Sequence, residues 1–238
     1  MEVNIFLLCF NESILLPKTV KFYKSRFPNC NITIYDNMST DKSVKIAKKL
    51  GCKVCGFNSG GKNDVRIKRN IANTCWKNIK KGWIIMADMD EWLDITEEDL
   101  DNETKKGTTI ITTKGYDMIG ESRSAILNDI DLNKITKCVP NKDEDKKICF
   151  LREQINSMNY SVGSHNCSPK GNIKYSSKIY NIKHMAYVGL KFIINKMKQR
   201  YARSGDMRKI GYSVHYTNDI TKIKKKYVSL LLQSKNIE

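Results

Sequence analysis

The chain of 238 residues has only 4 prolines and 13 glycines, too few for long linkers or low-complexity tails, and it carries no internal repeat. No apolar run approaches the ~20 residues that a membrane span requires. The N-terminal run VNIFLLCF (3–10) is short and lacks a basic flank, so it does not read as a secretory signal. These absences predict a cytoplasmic chain with at most peripheral membrane contact. There is no GxxxxGK[ST] stretch, which disfavours a phosphate-loop enzyme. The eight cysteines are too scattered for a disulfide framework, and Cys52 and Cys55 form a CxxC with no second ligand pair, a weak zinc signal. A reducing compartment is expected. Nothing in the pattern specifies an oligomer.

What is abundant is positive charge. There are 42 Lys+Arg against 25 Asp+Glu, a net +17, which favours anionic partners. Its distribution says more than its total. Nine acids and no base lie between Asp88 and Glu103, whereas Lys183 to Lys226 holds twelve bases and two acids. A protein built to coat nucleic acid would not carry that acidic block, so no nucleic-acid partner is expected. Two rivals stay open: a metal-dependent nuclease or nucleotidyltransferase, and a basic nucleic-acid-binding protein supported by charge alone.

The first ninety residues alternate between strand and helix. Buried-strand patterns at 3–10, 31–36, 52–57 and 83–87 are separated by helical patterns from Ser13, over 42–50 and over 65–80. That rhythm predicts parallel strands with helices on both faces and a ligand site beyond the strands' carboxyl ends. Beyond Leu100 the patterns at 108–116 and 146–153 suit mixed or antiparallel strands, and NKDEDKK (141–147) reads as a solvated loop. A basic amphipathic helix from Gly189 to Tyr201 and a last helix from Asp219 complete a C-terminal cap.

The stretch WIIMADMDEW (83–92) sets three carboxylates behind a greasy strand. In an extended chain residues i and i+2 share a face, so Asp88 and Asp90 project together and suit Mg²⁺ or Mn²⁺, which takes oxygen ligands and keeps water and phosphate oxygens. The alternative, that such acids cap the next helix, suits Asp94 and Glu97 to Asp99 better.

Together with FNES, IYDNMSTD, RIKRNIANTCWK, KHMAYVGLKFIINKMKQRYARSG and VHY, this motif resembles family 2-like glycosyltransferases of the GT-A fold, in a subgroup associated with capsular polysaccharide synthesis. The resemblance spans roughly residues 3 to 216 and implies a Rossmann-like, mostly parallel α/β sheet with helices on both faces, antiparallel additions and a C-terminal helical cap. It implies one domain: a nucleotide-binding half (1–105), an acceptor-side half (106–180) and the basic cap (181–238). The implied activity is metal-dependent transfer of a sugar from a nucleotide-sugar, UDP-sugar favoured, to a glycan or similar acceptor, with inversion.

By that resemblance Phe10, Asn11 and Glu12 line the base and ribose pocket, Asp36 accepts a hydrogen bond from the base, and Asp88 sits near ribose and metal. Asp90 ligates Mn²⁺ or Mg²⁺ on the diphosphate. Arg66 contacts base or phosphate, the alternative being an exposed surface arginine, and Asn70 fits the family's RN pattern. His184 and His215 are candidates for a further metal ligand or diphosphate contact, against a structural histidine. Arg200, Arg203 and Arg208 suit a cap that meets the diphosphate. An inverting base must reach the acceptor hydroxyl. Relatives place an acid well downstream, yet no acid lies between Glu153 and Asp206. Asp117 is the first choice, with Glu91 and His165 as alternatives.

Overall fold

The computed structural model describes residues 1–237. In chain order the elements are β1 (Val3–Cys9), α1 (Leu16–Arg26), β2 (Asn31–Asp36), α2 (Ser43–Lys49), β3 (Lys53–Gly56), α3 (Val65–Thr74), β4 (Trp83–Asp88), β5 (Glu91–Asp94), α4 (Glu97–Lys105), β6 (Ile110–Ser122), β7 (Lys137–Pro140), β8 (Cys149–Leu151), β9 (Ile155–Ser157), β10 (Lys170–Gly171), β11 (Tyr175–Gly189), α5 (Leu190–Arg203), α6 (Gly205–Lys209), α7 (Ile220–Gln233) and β12 (Lys235–Asn236). The main sheet runs β12-β7-β6-β8-β4-β1-β2-β3. Its central strands β4, β1, β2 and β3 are mutually parallel. β8 joins β4 antiparallel, while β11 runs parallel to β6 and antiparallel to β5.

The strands alternate faces with period 2, and this alternation sorts the core into layers. Val3, Ile5, Leu7 and Cys9 of β1, with Trp83, Ile85 and Ala87 of β4, pack with Leu16 and Val20 of α1 and Ala47 of α2. Phe6, Ile84 and Met86 point the other way and pack with Ala72 of α3 and Trp76. The sheet is therefore covered on both faces. A third, smaller cluster joins Ile193 of α5 to Ile223 and Tyr227 of α7, forming the cap.

Element boundaries depart from the expected ones where capping decides them. Ser13 does not cap α1, which begins three residues later with Pro17 in its first turn. α3 stops at Thr74 instead of running to Lys80. No helix follows the DMD motif directly. Met89 and Asp90 turn the chain into β5, and the next helix starts at a capping box in which Thr96 and Asp99 satisfy each other's backbone N–H groups. No helix among the described residues is long and apolar enough to cross a membrane.

Candidate active site

Because β1, β2 and β4 are parallel and in register, their carboxyl ends lie side by side: Cys9 pairs with Asp36, and Leu8 with Asp88. Beyond them opens a cleft of about 440 Å³. Phe10 and Glu12 leave β1 into it, Asp88, Asp90 and Glu91 enter from the β4 turn, and His184 enters from β11. The cap supplies Arg200, Arg203 and the segment from Gly211 to Tyr216, while His165 comes from the short turn after β9.

Each buried acid here meets a cation. Asp90 pairs with Arg200 of α5 at 2.7 Å, and Glu12 with Lys196 one helical turn earlier. Glu91 pairs with Lys146, whose ammonium also lies 2.9 Å from Glu144. His184 Nδ1 is 2.6 Å from the Asp117 carboxylate, and its Nε2 is 3.8 Å from Asp90. Burial opposes ionisation of Asp90, but Arg200, His184 and Lys196 hold its carboxyl well below the ordinary range. Burial, with Asp88 and Glu144 nearby, pushes Glu91 up to about 7 against the pull of Lys146. Burial disfavours the imidazolium of His184, yet Glu144, Asp117 and Asp90 around it win and raise its pKa to about 10. His215 goes the other way: burial, Arg200 and His165 lower it, leaving a neutral ring at pH 7.

The remaining candidates divide clearly. Arg203 sits over the Phe10 ring, its guanidinium carbon 3.1 Å from the ring centroid, and donates to the Gly61 and Lys62 carbonyls. Burial alone lowers its pKa to about 10, so it remains a cation at neutral pH. His165 Nδ1 is 2.7 Å from the Asp143 carbonyl oxygen. A carbonyl only accepts, so the proton sits on Nδ1 and the lone pair on Nε2. Asp36 ends β2 buried, receiving hydrogen bonds from the N–H and hydroxyl of Ser39. Asn11, at φ 51°, turns its side chain onto the N–H groups of Thr40 and Asp41.

Asn11, Asp36, Arg66, Asn70, Arg208 and Asp117 fall outside the cleft lining, Asn11 and Asp36 because their side chains are taken up by the Ser39–Asp41 turn. Arg66 pairs with Asp64 at its own helix start. Asn70 is exposed on α3, where Lys68 and Arg69 face the cleft instead. Arg208 stacks on Tyr201 and donates to its carbonyl. Asp117 stands behind His184 and accepts a second hydrogen bond from Asn141.

Three buried groups at the site have no counterpart in the sequence reading. Lys146 and Glu144 come from NKDEDKK, which is not a solvated loop throughout: both side chains turn in, and a Cβ on Gly115 of β6 would lie 2.3 Å from Glu144, so only glycine admits this approach. The density of charge in that segment gave no hint of inward placement. Lys196 was legible in principle. With Phe192 and Arg200 it follows the i, i+4, i+8 line of the buried stripe of α5, where a lysine needs a partner.

A divalent cation fits part of this arrangement. Asp88 offers a carboxylate in the cleft with no ion-pair partner among the described residues, and Asp90 stands two residues on. Among the described residues no group of three or more His, Cys, Asp or Glu side chains is arranged to hold a metal ion. The donor set is thus two hard carboxylates, one of them already shared with Arg200, which suits a weakly held ion completed by water and phosphate oxygens.

No family model matches the chain. The protein RfbJ of Shigella flexneri is 24% identical over 93 residues, 39% of this chain and 67% of its own length. Among solved structures, S. aureus TarS 1–349 aligns with a TM-score of 0.48 at 11% identity, over 98% of this chain and 80% of that one. Its complex with UDP-GlcNAc aligns at 0.45 and 14% identity, over 97% and 72%. The glucosyl-3-phosphoglycerate synthase from Mycobacterium tuberculosis with Mn²⁺, UDP and glucosyl-3-phosphoglycerate aligns at 0.35 and 11% identity, over 48% and 44%. All are distant likenesses.

Proposed function

We propose that this chain is a glycosyltransferase that binds a nucleotide-sugar, UDP-sugar favoured, and transfers its sugar with inversion to a glycan or similar acceptor. The observation that carries the reading is the convergence of Asp88 and Asp90, at a parallel strand end, with Arg200 and Arg203 of the cap in one cleft. An acidic floor under a basic wall is what a nucleoside diphosphate held with a cation requires. The DMD motif and its surroundings, which resemble family 2-like transferases, point the same way.

In this reading Phe10 and Arg203 hold the base and adjoining phosphate, and Asp36 reaches the base once Ser39 yields. Asp88 and Asp90 hold Mn²⁺ or Mg²⁺. When bound, the cation neutralises charge developing on the departing diphosphate. His184, tied to Asp117 and with its Nε2 3.8 Å from Asp90, adds positive charge beside the diphosphate when protonated, and a bound cation would compete with that proton. His215 lines the same cleft and is the second histidine candidate for that contact. Of the three candidate bases, Asp117 is screened by His184 and both oxygens of Glu91 are engaged by Lys146 and the Asp88 N–H. That leaves His165: the acceptor oxygen bonds to the anomeric carbon, the bond to the diphosphate breaks, and the hydroxyl proton passes to Nε2 of His165.

The test is thermal shift with UDP, GDP and their sugars, with and without Mn²⁺. UDP-sugar with Mn²⁺ should raise Tm most, and Asp90→Ala should abolish the Mn²⁺-dependent part. Absence of stabilisation by every nucleotide would sink the proposal.

A further inference from the structure

The cap has a second face, turned away from the cleft. Outside the cleft lining the cap exposes Ile210, Ile220, Val228 and Leu232, and Leu232, at 82%, is the most exposed large hydrophobic among the described residues. α7 explains part of this concentration. Ile223, Tyr227 and Leu230 bury one side of the helix, with the Tyr227 hydroxyl bonded to the Gly120 carbonyl. Val228 and Leu232, one turn apart, therefore form an apolar ridge toward solvent, exposed by 49% and 82%. Lys224 and Lys225 lie one turn before that ridge on the same side of α7, with Lys222 and Lys226 on one flank, and none of the four has an ion-pair partner among the described residues. No acid occurs within the helix, Asp219 being spent as its N-cap.

Solubility alone accounts for the lysines but not for an aliphatic ridge among them. Nucleic acid would meet the lysines through phosphate and gain nothing from Val228 and Leu232. The combination of exposed aliphatic side chains with a one-signed rim matches an interface that is anionic at its surface and apolar just beneath. We infer that the outer face of α7 docks the protein on an anionic phospholipid bilayer, with Val228 and Leu232 entering the headgroup–acyl boundary, Lys224 and Lys225 facing the lipid phosphates, and Lys222 and Lys226 adding charge from the flank. The inference does not depend on the transferase reading and can fail or hold without it.

The experiment is co-sedimentation of the full chain with vesicles of equimolar phosphatidylglycerol and phosphatidylcholine, and of phosphatidylcholine alone, at low and high salt. Binding should require phosphatidylglycerol and fall with salt. Replacing Lys222, Lys224, Lys225 and Lys226 by Gln should weaken partitioning roughly a hundredfold or more. The pair Val228→Ser and Leu232→Ser leaves charge unchanged and should weaken it about tenfold. Both variants alter exposed positions, and circular dichroism melting should match the parent. Three results would overturn the inference: no binding to the mixed vesicles, binding undiminished by the serine pair, or sedimentation velocity showing a dimer that the serine pair dissociates in place of vesicle binding. Tighter binding to duplex DNA than to vesicles, indifferent to the serine pair, would assign the face to nucleic acid.

Discussion

Replacing Lys146 by methionine tests the electrostatic reading of the site most directly. Its ammonium lies between Glu91 and Glu144, and the three side chains are only 5%, 4% and 8% exposed. The two carboxylates raise the lysine's pKa despite burial, so it is a cation in the native state. Methionine conserves the stem and removes the charge, leaving two buried carboxylates without their ammonium, Glu91 with only the Asp88 N–H and Glu144 with His184 at 3.8 Å. Breaking a buried ion pair from one side costs about 3–5 kcal/mol, and a pair of stranded acids belongs at the upper end. For a chain of this size that is a fall in Tm on the order of 10 °C at pH 7.5. The deficit must depend on pH. In the variant Glu91, already raised in the parent, rises further and Glu144 loses the pull of Lys146, so the deficit is full above the raised values and shrinks as pH falls through them. Urea unfolding of both proteins at pH 7.5 and pH 5.5 measures it. Adding Glu91→Gln to Lys146→Met should recover part of the loss at pH 7.5. A loss below about 1 kcal/mol at pH 7.5, or one unchanged by acid and by Glu91→Gln, would show that Lys146 is not the counter-ion described.

Other consequences follow from the same geometry. The native pKa of His184 is raised from 6.5 to about 10, so its stabilisation is complete below pH 6.5 and is lost as pH rises through 10. His184→Gln should flatten the stability profile between pH 7 and 10, and an unchanged slope in chemical denaturation would refute the assignment. His165→Gln should lower kcat by about 10²–10⁴ with nucleotide-induced thermal shift preserved; an unaffected kcat removes His165 as base. Thr96→Ala breaks the capping box of α4 and should cost about 1 kcal/mol in urea unfolding without changing nucleotide binding.

The strand–helix alternation of the first ninety residues was legible because each element carries its own period, and the parallel arrangement followed from that alternation. The DMD motif stood out because carboxylates behind WIIMA are costly without a partner. The partners themselves were not legible. Lys146, Lys196 and Arg200 lie 55, 184 and 110 residues from the acids they meet, and no local period marks such pairs. Asp117 illustrates the limit: KGYDMIG shows an acid in a strand, but only the pairing of β6 with β11 sets it opposite His184.

By itself, then, the sequence determined what is local: strand and helix identity, the acidic block, the basic cap and the chemistry available at 88–91. Tertiary structure decided which charges neutralise one another. It tied His184 to Asp117, drew part of NKDEDKK into the site, and left Asn11, Asp36, Arg66, Asn70 and Arg208 outside the cleft lining. The physical reason is that burial fixes the value of a charge. A carboxylate in water is indifferent to its partner, whereas one beyond a strand end and under a cap is held by whichever cation the fold brings against it.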